Sequence, residues 1–404
     1  MIRLSSRAQL AAAVLLVAVG VVTALVVTGF ARSSANADRL WNEARRAFEE
    51  RRFERTEMLL NQLARLRAPT PMDSLLHAQV ALAHGRPDEA LADLERVPDG
   101  NAMGSQARLQ EGQLELRRAR ARAAEQCYLR ALALDPHLVQ ARRELVYIYG
   151  MQLRRRALGE QFKLLSEQTL LNFQDVFTWC LTRGCVWEPA EAANDLKRWV
   201  TADPSDRWSR LALADNLRQM HLEGEAEAAL RPLSDSDPDA RAIRVMIAFD
   251  QNDLASAQRI LDEGKADSPE LARLRGRLAV MNKDGKSALA YFRQANAADP
   301  DNRDTLFYLA LALRMTGQDQ AAKPYFEKAR KLDALEVLVK RASAAKAREN
   351  RQLALELGAA CAAVGRIPEA RAWYKVAIDR DPLDVEAQKA LALLEKDPAG
   401  APKR

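Results

Sequence analysis

The 34 residues from Arg351 to Asp384, RQLALELGAACAAVGRIPEARAWYKVAIDRDPLD, read as two amphipathic helical segments separated by a glycine-containing turn. With Arg351 as position 1, Gly358 falls at 8, Gly365 at 15, Ala370 at 20, Tyr374 at 24, Ala377 at 27 and Pro382 at 32. The stretch starting at Ser105 repeats this with Gly112, Ala124, Tyr128, Ala131 and Pro136. The stretch starting at Pro269 repeats it with Gly276, Ala288, Phe292, Ala295 and Pro300. Small residues at 8 and 20 let two helices approach closely, and a large residue at 24 with a small one at 27 fills the space shared with the next hairpin. Proline at 32 lacks an amide hydrogen and ends the second helix.

Position 20 recurs along most of the chain, at Thr56, Ala90, Ala124, Leu158, Ala192, Ala226, Ala257, Ala288, Ala322 and Ala370. Successive steps are 34 five times, then 31, 31, 34 and 48. A sustained 34-residue period marks an array of helix–turn–helix units. Asp-Pro recurs in register at Asp135-Pro136, Asp203-Pro204, Asp237-Pro238, Asp299-Pro300 and Asp381-Pro382. On these positions the chain resembles the tetratricopeptide repeat (TPR) family, from about residue 37 to residue 384. The departures are Thr56 and Leu158 at position 20 and Trp199 at position 27. The resemblance implies an all-α protein, a right-handed α-solenoid of about ten hairpins, which here would follow the one N-terminal transmembrane helix read separately from residues 10–31.

The organisation follows from that frame. Residues 1–9 are a short basic tail, and Leu10 to Phe30 is 21 residues without a charge, close to the roughly 20 that cross a bilayer as a helix. A transmembrane signal anchor is therefore expected over residues 10–31, longer than the apolar region of a cleaved signal peptide, although Ala35-Asn36-Ala37 offers a cleavage pattern. Nine TPR-like repeats are expected over residues 37–336, an inserted helix or break over 337–350, a final repeat over 351–384, a capping helix over 385–396 and a disordered tail over 397–404. The two 31-residue steps lose a little under one helical turn, so the hairpins near residues 226–288 should be short. The alanine- and arginine-rich composition fits a bacterial, membrane-anchored member of the family. Localisation is then at the cell membrane as a single-pass protein. The basic tail favours repeats outside the cytoplasm, whereas Arg32, Arg39, Arg45 and Arg46 argue for the cytoplasmic side.

Composition adds limits. The chain has 404 residues, 48% of them hydrophobic, and a formal net charge of +6, which does not by itself predict nucleic acid. No catalytic set converges on one face. Gly285-Lys286-Ser287 lacks the preceding glycine and strand of a phosphate-binding loop. Asp235, Asp237 and Asp239 lack the glycine and glutamate of a calcium loop and are expected to cap helix ends. Cys180 and Cys185 lack zinc spacing, Cys180 and Cys361 read as packed apolar side chains, and a Cys180–Cys185 disulfide would need the helix to end between them. His77 sits at a core position and His84 in a turn, without a ligand cluster. No enzyme, cofactor or metal is expected.

By the resemblance, positions 2, 5, 9 and 12 of each first helix line a groove that holds protein or peptide partners. They place Arg143, Tyr147, Gln174, Phe177, Trp208, Asp215, Arg218, Met246, Phe249, Arg273, Arg277, Phe307 and Arg314 along it. Arginines and aromatics are the residue types enriched in binding hot spots. The expected ligand is extended, with apolar anchors and some acidic character. Lysine is nearly absent from these positions, so binding of carboxyl-terminal chaperone tails is not carried over. The sequence reading is thus a membrane-anchored protein-interaction scaffold for envelope assembly, secretion or membrane-complex assembly, with self-association left open. The alternative is an RNA-binding helical-repeat protein using Arg117, Arg118, Arg120, Arg122 and Arg154-Arg155-Arg156.

Overall fold

The computed structural model describes residues 35–184, 189–263, 268–344, 348 and 350–396, and the expected anchor at 10–31 lies outside them. Among the described residues every regular element longer than one turn is an α-helix, and none of these helices is long and apolar enough to cross a membrane. The helices come in pairs: α1 (35–49) with α2 (Phe53–Leu66), α3 (Pro71–Ala83) with α4 (Pro87–Glu95), and α5 (Gly104–Arg117) with α6 (Ala121–Leu134). They continue as α7 (Val139–Met151), α8 (Arg155–Gln168), α9 (Phe173–Gly184), α10 (Pro189–Ala202), α11 (Arg207–Gln219) and α12 (Glu223–Leu230). The remainder are α13 (Pro238–Asp250), α14 (Leu254–Asp262), α15 (Pro269–Met281), α16 (Gly285–Ala298), α17 (Arg303–Met315), α18 (Asp319–Ala342), α19 (Arg351–Ala363), α20 (Ile367–Arg380) and α21 (Val385–Lys396). Two compact units result. One holds residues up to Leu114 with Leu129–Pro136, and the other holds Glu115–Tyr128 with His137 onward.

One backbone device repeats at every described turn within a pair. Arg51, Gly85, Ala119, Leu153, His221, Asn252, Lys283, Gly317 and Gly365 all have φ between 54° and 84° and occupy position 15 of their units. The following residue donates its N–H to the carbonyl five residues back, as in Arg52 to Ala47, Arg154 to Tyr149, Leu222 to Leu217 and Arg366 to Cys361, at 2.8–2.9 Å. This left-handed residue with its six-to-one bond satisfies the last carbonyls of the first helix and reverses the chain. Six of the nine positions are not glycine, so the turn is imposed by the packing on either side of it.

That packing is the repeat code made physical. The residue at position 20 is buried in all ten units, from Thr56 at 0% to Ala192 at 6% exposure. A Cβ added at Gly276 would fall 2.9 Å from the Phe292 ring, and one at Gly358 would fall 2.6 Å from Tyr374, so positions 8 and 24 are in direct contact. In the first unit, Leu59, Leu60 and Leu63 of α2 pack with Leu40 and Ala44 of α1, and Leu94 and Val97 pack with Ala78 and Ala81. The second unit repeats the scheme around Val245, Leu261 and Leu274 and around Phe292, Leu309 and Leu313.

Three second helices are short: α4 and α14 have nine residues and α12 has eight. Arginines serve the carbonyls at their ends. Arg108 donates to Leu94 O at 2.9 Å and Val97 O at 2.7 Å, Arg241 to Ile260 O at 2.9 Å and Arg275 to Leu261 O at 3.1 Å. A guanidinium thus replaces the missing helical turn as donor. In the shortened stretch Asp237-Pro238 begins α13 rather than ending α12: Asp237 is its N-cap, accepting from Asp239 N and Ala240 N. The other four Asp-Pro pairs follow the last residues of α6, α10, α16 and α20.

The 48-residue step is taken up largely by α18, a single helix of 24 residues that buries Leu335, Val339 and Ala342 in its added length. This extension brings the second unit back on itself, because α18 and α20 pack against α9, and α20 also meets α8. Helix α21 follows with Ala387 buried, while Leu383, Val385 and Leu393 nearby are exposed.

Candidate partner-binding face

The first helices of the second unit carry the face picked out by positions 2, 5, 9 and 12. On α7, Arg143 makes a two-pronged ion pair with Asp175 of α9, at 2.7 and 3.0 Å. Tyr147, one turn further on, is 40% exposed and stands edge-on to Trp199, with ring centroids 6.0 Å apart. On α9, the Gln174 carbonyl accepts from Arg348 at 2.9 Å, and Phe177 is buried in a stack with Phe173. Gln174 and Phe177 line a cavity of about 520 Å³ with Ala342, Ser343, Ala344 and Arg348, so the chain itself occupies part of this stretch of the face.

Charges further along are matched in place. Asp215 and Arg218 of α11 pair at 2.9 Å, and Arg218 also reaches Asp250 of α13 at 2.6 Å. Arg273 of α15 pairs with Glu270 and lies 3.9 Å from Asp304 of α17. Arg314 lies 3.5 Å from Asp319. The aromatics are clamped by guanidinium groups: Arg277 sits 4.9 Å above Phe249, and Arg303 sits 5.2 Å above Phe307. Trp208 is half-buried between Arg154 at 4.9 Å and Arg207 at 4.5 Å, and Met246 packs at the edge of the Val245–Leu274 core. Such stacks fix ring orientation and reduce the ordering cost of a later contact.

The carboxylates change the electrostatic reading. Among the five arginines picked out by sequence, Arg143, Arg218, Arg273 and Arg314 each have an aspartate or glutamate partner. A face whose cations bring their own counter-charges has little pull on an acidic ligand, because a new carboxylate must displace an existing one. Within the arginine runs, Arg120 pairs with Glu115, Arg122 with Asp203 and Arg154 with Glu125.

The remaining motifs resolve into caps and packing. Asp284 caps α16 by accepting from Ser287 N at 3.1 Å, occupying the helix end that a phosphate would need. Trp179 and Trp199 are core residues. Sequence reasoning missed a polar cluster in the first unit. His77 Nδ1 lies 2.5 Å from Asp93, His84 Nε2 lies 3.5 Å from Glu57, and donor atoms of Glu57, His77 and Glu89 fall within 4.8 Å of one another. Arg86 bridges Glu57 at 2.8 Å and Glu89 at 2.7 Å and offsets part of their combined negative charge. The hydrogen bond to Asp93 raises the His77 imidazole above its ordinary value, against the lowering effect of burial, with the Asp93, Glu89 and Glu57 charges adding to the rise. The separation of 16 between His77 and Asp93 was the available signal, since Gly276–Phe292 and Gly358–Tyr374 are spaced alike.

Fold and face together define a TPR-like array of helical hairpins. No family model matches the chain, and no curated protein matches it. Among solved structures it is similar to a tetratricopeptide repeat protein from Parabacteroides merdae, at 14% identity and TM-score 0.32 over 60% of this chain and 98% of that one. It is also similar to the APC/C hetero-tetramer Cut9–Hcn1, at 12% identity and TM-score 0.33 over 88% and 96%. A third is the human IFIT1 dimer with m7Gppp-AAAA, at 15% identity and TM-score 0.33 over 87% and 79%. At these values the repeat assignment rests on this chain's own positions and contacts.

Proposed function

We infer that the protein is a non-enzymatic scaffold, tethered to the membrane through residues 10–31, whose repeats hold extended protein segments along the first-helix face of the second unit. The observation that supports this reading is the row of preset aromatic and arginine side chains between Tyr147 and Arg314. Tyr147 is set against Trp199, Phe249 and Phe307 lie under guanidinium groups, and the charges are balanced locally. Such a row suits a partner of low net charge with apolar anchors and backbone amides for the exposed oxygens, rather than the acidic ligand that composition alone suggests. Placement of the repeats outside the cytoplasm follows from the basic amino-terminal tail. RNA binding ranks behind protein binding, because Arg120, Arg122 and Arg154 are already engaged by carboxylates.

The test is crosslinking and co-purification of the full chain from its native membranes, beside the variant Tyr147→Ala/Arg314→Ala. Both side chains are exposed, at 40% and 61%, so the array should fold in the variant. A defined set of proteins lost in the variant supports the scaffold, and their compartment reports the side of the membrane. An unchanged set removes this face from the account.

A further inference from the structure

Helix α9 is joined to the last pair of helices, some 180 residues later in the chain, by a compact set of contacts. Phe173 stands edge-on to Trp373 with centroids 5.2 Å apart, Arg380 covers the Phe173 ring at 5.1 Å, and Arg183 pairs with the buried Glu369 at 2.8 Å. At the centre lie two thiols. Cys180 Sγ of α9 and Cys361 Sγ of α19 are 3.9 Å apart across 181 residues of sequence, at 4% and 0% exposure. The Trp373 indole N–H donates to Cys180 Sγ at 3.2 Å.

Both thiols fill buried space, and Cys180 also serves as acceptor for the Trp373 indole. Two thiols side by side on segments so remote in sequence need to close by under 2 Å to reach disulfide bonding distance, about 2.05 Å. Disulfide formation requires side-chain rotation with a small helix shift to supply that movement. We propose that Cys180 and Cys361 form a disulfide that locks α9 to α19, and so fixes the part of the partner-binding face that carries Gln174 and Phe177. The pair uses neither Cys127 nor Cys185, and Cys185 lies outside the described residues.

The chemistry balances with a small or protein-borne disulfide as oxidant. One cysteine thiolate attacks a sulfur of the donor disulfide and releases a donor thiolate. The second cysteine thiolate then attacks the mixed disulfide, forming the Cys180–Cys361 bond and releasing the other donor thiolate. The protein loses two protons and two electrons, and the donor is reduced to two thiols. Hydrogen bonding to Cys180 and burial both push the Cys361 thiol up, so exchange belongs to moments when α9 and α19 part, and the closed form then protects the bond from reductants. The placement outside the cytoplasm proposed above provides an oxidising compartment, but the covalent test does not depend on it.

The test uses the full chain in detergent, incubated with oxidised glutathione or with dithiothreitol. It is then unfolded in denaturant without reductant, alkylated, digested and mapped by mass. The expected result after oxidation is a linked peptide pair containing Cys180 and Cys361, with both unalkylated, and a midpoint of thermal unfolding several degrees above the reduced protein. Cys127→Ser/Cys185→Ser should retain the link and the shift, whereas Cys361→Ser, with an unchanged helical circular dichroism spectrum, should lose both. Alkylation of both thiols after oxidation overturns the proposal, as does a Cys180–Cys185 link in the wild-type chain.

Discussion

At the scale of single residues, nine turns share one strained conformation, and six of them hold a side chain there. A left-handed L-residue costs roughly 1–2 kcal/mol, while glycine adopts the same φ freely at a larger entropy cost on folding. Leu153, at φ 54°, should therefore gain up to about 1 kcal/mol when replaced by glycine, and Gly365→Ala, at φ 84°, should lose about 1 kcal/mol. Equilibrium urea unfolding of both variants would decide, and a loss in Leu153→Gly would mean that its side-chain packing outweighs the strain. A second prediction concerns His77. Its folded value is raised above 6.5, so the stability it adds is fully present below pH 6.5 and fades as pH rises through the higher folded value. His77→Gln should flatten the pH dependence of unfolding in that window, and an unchanged profile would assign the dependence to other groups. Glycine marks the αL turn at Gly85, Gly317 and Gly365, but Arg51 and Leu153 carry no turn signal in residue type. Those two turns are legible only through their register with position 20.

Among elements, the shortest second helices show what the period encodes and what it leaves out. The 31-residue steps marked the short hairpins at α12 and α14, but α4 is equally short inside a 34-residue step, because residues 96–103 make up the length outside a helix. No pattern of apolar residues announces that choice. What stabilises it is Arg108, 2% exposed, which satisfies two carbonyls of the shortened end. Replacing Arg108 with methionine keeps much of the volume but strands those acceptors and the partner carboxylate Glu111, while Asp99 keeps its pairing with Arg130. A loss of about 2–4 kcal/mol is expected from urea titration, and a loss under about 1 kcal/mol would show that water reaches the α4 end. The extra residues after Ala322 illustrate the opposite case. They announced themselves as a break in the period, yet their destination, the buried side of a continuous α18, depends on a contact with α9 that no local pattern records.

For the whole molecule, the candidate face was half readable. The residue types along it follow from the period, and so do local partners such as Asp215 and Glu270, whereas two of the neutralising aspartates come from neighbouring hairpins at separations of 32, in Arg143–Asp175 and Arg218–Asp250. Pairs of that kind form only once the stacking geometry exists. The Arg183–Glu369 pair tests how much one remote bridge contributes. Glu369 is 1% exposed and Arg183 is about one-third exposed, so Glu369→Ala should cost roughly 1–3 kcal/mol, below the penalty of a fully buried pair. The loss should appear in amide exchange of α9 as well as α20. Faster exchange confined to α20 would show that the two helices open independently.

A row of repeats that touch only their neighbours melts from its ends, because the terminal member has one supporting interface instead of two. The return of α18 and α20 onto α9 alters that boundary condition within the second unit: the last pair gains a second interface, and opening it must also strip a helix far upstream in sequence. Thermal opening of that stretch then resembles breaking a hoop rather than unzipping a seam, and the slowest-exchanging amides should lie where the hoop meets itself instead of midway along the array.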